Sequence, residues 1–131
     1  MELHELTFAK IIILRDDIAE VIINDGIDMD MPMLEVYHNF LLSNLKAPFS
    51  LLINKINSYS YNADVLLNLA ELSEINVMAI VSYKRITTVS TEYLHSIPRP
   101  IEWNLKIFSN RDDALTWLES EQDNLLLSSD S

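Results

Sequence analysis

Apolar and polar positions along this chain alternate between short extended runs and helical spacings. Residues 6–14 (LTFAKIIIL) are rich in β-branched side chains and predict a strand. Arg15-Asp16-Asp17 is a short polar turn, and residues 18–24 (IAEVIIN) predict a second strand. So short a connection forces an antiparallel hairpin. Asp25-Gly26, with the one glycine of the chain, closes this second strand in a turn.

Helical spacing follows. Asp30 suits an N-cap and Pro32 is tolerated in the first turn. Leu34, Tyr37, Leu41 and Leu45 then share one face, with Phe40 beside them, until Ala47-Pro48 stops the helix. Residues 49–54 (FSLLIN) form a continuous apolar run, as a central strand covered on both sides requires. Residues 57–62 (NSYSYN) read as a polar and aromatic loop.

A second helix is predicted over 63–75, a strand over 77–82 (VMAIVS), and a third helix from near Lys84 to the Pro98-Arg99-Pro100 stop. The last strand is 105–108. A fourth helix follows Ser109-Asn110-Arg111-Asp112 and buries Ala114, Leu115, Trp117 and Leu118. Strands joined through helices run parallel with right-handed crossovers. The predicted fold is therefore α/β: a mixed five-stranded sheet, ordered ββαβαβαβα, with four helices. One domain spans 1–131, with its core over about 6–120 and a frayed tail over 121–131.

Composition narrows the function classes. A chain of 131 residues buries about two thirds of its unfolded surface and needs no disulfide or metal to fold. Cysteine is absent, so a thiolate nucleophile and a cysteine-ligated zinc site are excluded. Nine Lys and Arg against twenty Asp and Glu give a net charge of −11, which phosphate backbones and anionic membranes repel. The start MELHE lacks the pattern of a signal peptide, and no apolar run approaches the roughly 20 residues of a membrane span. The expected setting is the cytoplasm.

The segment Leu105-Lys106-Ile107-Phe108-Ser109-Asn110-Arg111-Asp112-Asp113-Ala114-Leu115-Thr116-Trp117-Leu118 puts a short strand before a capped helix with Ala-Leu and Trp-Leu. With the preceding order of elements, it resembles the STAS, or SpoIIAA-like, domains over residues 6–120. That resemblance implies a regulatory or ligand-binding domain. In the anti-sigma-factor antagonists of the group, a serine at the start of the helix after the third strand is phosphorylated. The matching region, residues 54–62, offers Ser58 and Ser60 but lacks the family's Asp-Ser pair and has no glycine.

Ligands of open α/β sheets gather beyond the carboxyl ends of the parallel strands. This rule selects residues 55–61, 82–85 and 109–110. Lys55, Ser58, Ser60, Lys84 and Arg85 are thus candidates for docking an anion or a partner, helped by helix N-termini. The alternative is that they are solvated loop residues and caps. Tyr59, Tyr61 and Tyr83 are candidates for a ligand gate, or else packing lids over the sheet edge.

Other chemistry finds little footing. His4, His38 and His95 lie on a terminus and two helices, without metal-ligand spacing. Asp16-Asp17 and Asp112-Asp113 sit where turns and first helical turns favour acids. A lone Gly26 excludes phosphate loops and the Gly-x-Ser-x-Gly elbow. The 97–103 segment reads as a bridge into the last strand. Leu125-Leu126-Leu127 offers a surface that a homodimer would bury. The expectation is a non-enzymatic STAS-like regulatory or protein-interaction module without a cofactor. The alternative is a small-molecule or lipid-binding domain with its pocket between helix and sheet.

Overall fold

The computed structural model describes residues 2–62, 65, 72–83 and 105–129. Strands β1 (Glu2–Glu5), β2 (Ala9–Arg15), β3 (Ile18–Ile23) and β4 (Asp28–Met29) precede helix α1 (Met31–Asn44). Strands β5 (Phe49–Lys55), β6 (Ser60–Tyr61), β7 (Ile75–Ser82) and β8 (Leu105–Phe108) follow, and helix α2 (Arg111–Ser129) closes the chain. The main sheet is ordered β1-β2-β3-β5-β7-β8. β2 is antiparallel to β1 and β3, whereas β3, β5, β7 and β8 run parallel. The molecule is α/β with a mixed sheet. The helices predicted over 63–75 and from 84 lie largely outside the described residues, in which Val65 is helical.

The sheet has six strands rather than five. The added one, β1, is Glu-Leu-His-Glu, whose polar composition carries no strand signal; pairing with β2 makes it a strand. Leu6-Thr7-Phe8, expected inside the first strand, instead forms the turn between β1 and β2, closed by Leu6 N–H donating to the Ala9 carbonyl at 2.8 Å. Residues 57–62 are not simply a loop, because β6 lies parallel to β4 in a small second sheet. β7 begins at Ile75, where a helix end was expected.

Pleating sends side chains to two faces. Ala9, Ile11, Ala19, Val21, Phe49, Leu51 and Met78 pack with Leu34, Tyr37 and Leu41 of α1 in one apolar core. Ile18, Leu52, Val77, Ala79 and Val81 pack on the other face with Ala114 and Leu118 of α2. Asp30 caps α1 by accepting from Met33 N–H at 3.0 Å, and Pro32 sits in the first turn where its missing N–H costs nothing. Gly26 adopts φ +78°, the left-handed turn conformation that suits glycine.

The frayed tail expected over 121–131 is also corrected as far as residue 129. α2 continues to Ser129, and Gln122 is only 1 % exposed. Its amide donates to the Asp17 carboxylate and the Pro48 carbonyl and accepts from Ser50 Oγ and Asn76 Nδ2. All four positions of that amide are used. A register shift between β5 and β7 gives β7 an extra residue here, and the displaced Val77 N–H donates to Ser50 Oγ. A polar residue thus docks the second half of the helix, where apolar periodicity is weak. Among the described residues no helix is long and apolar enough to cross a membrane.

Candidate functional site

The carboxyl ends of β3, β5 and β7 form one rim. Lys55 and Ser82 pair across β5 and β7, so Ile56 and Tyr83 leave the sheet side by side. The chain after Lys55 does not swing free. Gly26 N–H donates to the Ser58 carbonyl (2.7 Å), Ser60 N–H to Ile27 (2.9 Å) and Asn62 N–H to Met29 (3.0 Å). Asn57 Nδ2 donates to the Ile23 carbonyl at 3.0 Å. The turn at Gly26 is what turns this chain back to meet residues 58–62.

Ser58 and Ser60 are exposed but stand beside acids. Ser58 N–H donates to Asp25 Oδ1 (2.9 Å), and Ser60 Oγ donates to Asp28 Oδ1 (3.1 Å). Lys55 lies over two rings, its Nζ 4.8 Å from the centroid of Tyr59 and 5.4 Å from that of Tyr61. The rings meet edge to face at 5.4 Å, and Tyr61 donates its hydroxyl to Tyr59 at 3.2 Å. Both pack against the α1-side core. Burial, reinforced by the Tyr61 hydroxyl, pushes the Tyr59 phenol well above its usual range. Lys55 is engaged in a cation–π contact with both rings.

Tyr83 does not join the other two tyrosines in a gate. It is 47 % exposed and lies just past the end of β7. Lys84 and Arg85 lie outside the described residues, as does His95. Of the eight residues singled out from sequence, Lys55, Tyr59 and Tyr61 form one cluster, and Ser58 and Ser60 line its acidic flank.

A further group at the rim escaped the sequence reading. Glu20 on β3 is 2 % exposed and accepts from Arg111 through Nε and Nη2 at 2.9–3.1 Å, and from Asn54 Nδ2 at 2.8 Å. The Glu20 hydrogen bonds hold the Arg111 guanidinium more firmly protonated than usual, against its partial burial. Asn54 Oδ1 is buried without a partner. A signal for the cluster existed: a single carboxylate inside the run Ile-Ala-Glu-Val-Ile-Ile must find a counter-charge when that strand is buried.

The remaining candidates keep structural surroundings. His4 meets the Phe40 ring at 5.0 Å and Glu2 at 3.2 Å, and His38 lies against Tyr37 on α1. Asp17 accepts from Arg15 and Gln122, and Asp113 from Asn110 Nδ2. Among the described residues no group of three His, Cys, Asp or Glu side chains is placed to hold a metal ion. Comparison with family models, with curated proteins and with solved structures finds no match to this chain.

Proposed function

We propose that the chain is a non-enzymatic, STAS-like regulatory or protein-interaction module whose partner docks on the carboxyl-end rim. The observation carrying this reading is the adjacent pair Ile56 and Tyr83, 59 % and 47 % exposed, at the ends of neighbouring strands. Two large, exposed side chains that each directly follow paired strand ends suit the centre of a contact, where tyrosine is favoured. The polar groups around them are bound internally: Lys55 to rings, Ser60 to Asp28, Arg111 to Glu20. Such an arrangement supports recognition better than turnover. The mixed sheet with four parallel strands is in keeping with the STAS-like resemblance.

Lys84 and Arg85, the next two residues of the chain, are basic and remain candidates for the partner contact. Modification of Ser60 would act by repulsion. A phosphoryl group placed against Asp28 would loosen the β4–β6 pairing and release the segment after Lys55. A second reading, small-molecule or lipid binding between α1 and the sheet, draws support from the Tyr59–Tyr61 pair. Those rings are set into the α1-side core under Lys55, like a lid that a ligand would lift.

Crosslinking and affinity capture, with wild type and with the double variant Ile56→Asp, Tyr83→Asp, test the proposal. Leu42→Asp, at an exposed position of α1, serves as the control. Proteins captured by wild type and by the control, and lost from the rim variant, are the expected result. Identical sets for all three forms would remove the rim from consideration. A small molecule released on denaturing the purified protein would favour the second reading.

A further inference from the structure

We propose that the α2-side face of strands β1–β3 is the contact surface between two copies of this chain. Cross-strand register places Leu3 opposite Ile12 and Ile12 opposite Glu20, whose neighbour on β5 is Leu52 of the α2-side core. The same register puts Glu5 opposite Lys10 and Lys10 opposite Ile22. Leu3, Glu5, Lys10, Ile12 and Ile22 therefore share one face, turned away from the α1-side core that holds Ile11 and Val21.

α2 packs over β5, β7 and β8, and among the described residues it meets β2 at the strand's end, where Leu14 packs against the α2-side core and Arg15 donates to Asp123. Leu3 is 57 % exposed, and Ile12 and Ile22 are only partly buried. An apolar sheet surface of this kind calls for a covering layer.

Its charges select the occupant. Glu5 and Lys10 are both exposed, and among the described residues neither takes part in an ion pair. In a two-fold, face-to-face contact, Lys10 meets Glu5 of the partner subunit, and the converse pair forms by symmetry. These charges cancel, so the patch is neutral on a molecule of net charge −11. It is a place where two strongly acidic copies can approach without direct repulsion. Joining the sheets edge to edge through antiparallel β1 strands would instead set Glu2 against Glu5, a like-charge pairing that edge strands use to prevent association. The packing is face to face. It uses a surface other than the rim, and stands or falls independently of it.

Sedimentation velocity on the full chain over a range of concentrations is the test. Wild type is a dimer, and Leu3→Glu, at the most exposed apolar position of the patch, raises the dissociation constant by at least about tenfold. Lys10→Glu does the same, while the exchange Glu5→Lys with Lys10→Glu restores association, because the swapped pair is again self-complementary. Circular dichroism and thermal unfolding confirm that each variant is folded; Lys10→Glu and the exchange leave the apolar residues untouched. A monomeric wild type overturns the proposal. So does a dimer insensitive to Leu3→Glu, or an exchange variant that stays monomeric.

Discussion

On the α1 side of the sheet the core is apolar but for the tyrosine hydroxyls, paired at Tyr59 and Tyr61, and the buried edge of His38, whereas on the α2 side an apolar middle is bracketed by two buried polar clusters. At the amino ends of the strands, Asp17, Ser50 and Asn76 hold Gln122; further along, Glu20, which also accepts from Asn54, holds Arg111. Helix α1 is thus seated by the non-directional burial of a regular stripe, and α2 is pinned near its start and past its middle by directional bonds. The contrast teaches that a helix with a weak apolar stripe can still be placed firmly, provided that its few buried polar groups are satisfied.

Substitutions in each region put that contrast to work. Leu41→Ala, at a fully buried α1 position, costs about 3–5 kcal/mol in chemical denaturation, since the cavity adds to the lost burial. Arg111→Ala leaves Glu20 buried without its counter-charge and costs about 3 kcal/mol, discounted because Arg111 itself is partly exposed. Replacing both Glu20 and Arg111 with leucine recovers part of that loss, reduced by the buried Asn54 amide that Glu20 no longer accepts from, a result that a purely apolar site would not give. An Arg111→Ala cost below about 1 kcal/mol would mean that the polar pin contributes little and that the faces do not differ in kind.

Gln122→Ala strands partners on four residues and costs about 2 kcal/mol; hydrogen exchange should then quicken in the second half of α2 before it does in α1. Ser60→Asp, at the exposed β4–β6 pairing, is a milder change of about 1 kcal/mol or less that quickens exchange at residues 58–62.

The smallest expected effect concerns pH. Burial lowers the pKa of His38 from its ordinary value, so the folded form resists the proton that the unfolded chain accepts near pH 6.5. Its contribution is whole above about pH 6.5 and is lost as pH falls through that value. Denaturation midpoints at pH 8 and about 5.5, above the ordinary carboxylate range, should differ less for His38→Gln than for wild type. An equal difference in both forms would assign the pH response to other groups.

Much of this structure was legible in the run of residues. The stripe Leu34, Tyr37, Leu41 and the cap at Asp30 place α1, and the β-branched runs place β2, β3, β5 and β7, because each pattern reports burial by its own period. The rim was legible as well, since parallel strands bring Lys55 and Ser82 to one end. What Lys55 would touch was not, because the edge-to-face tyrosines beneath it depend on a backbone pairing between residues that are distant in sequence.

Local chemistry by itself determined the α/β class, the hairpin, the parallel strands and the first helix, since period, capping and turn residues act within a few positions. Tertiary structure alone decided the edge strand β1, the β4–β6 pairing, the reach of α2 to Ser129 and the Glu20–Arg111 pair. Apart from β1, whose partner β2 is near in sequence but whose own residues carry no strand signal, each of these rests on bonds between residues far apart in the chain. Their energy depends on which groups the fold brings within about 3 Å of one another, and no local pattern encodes that distance.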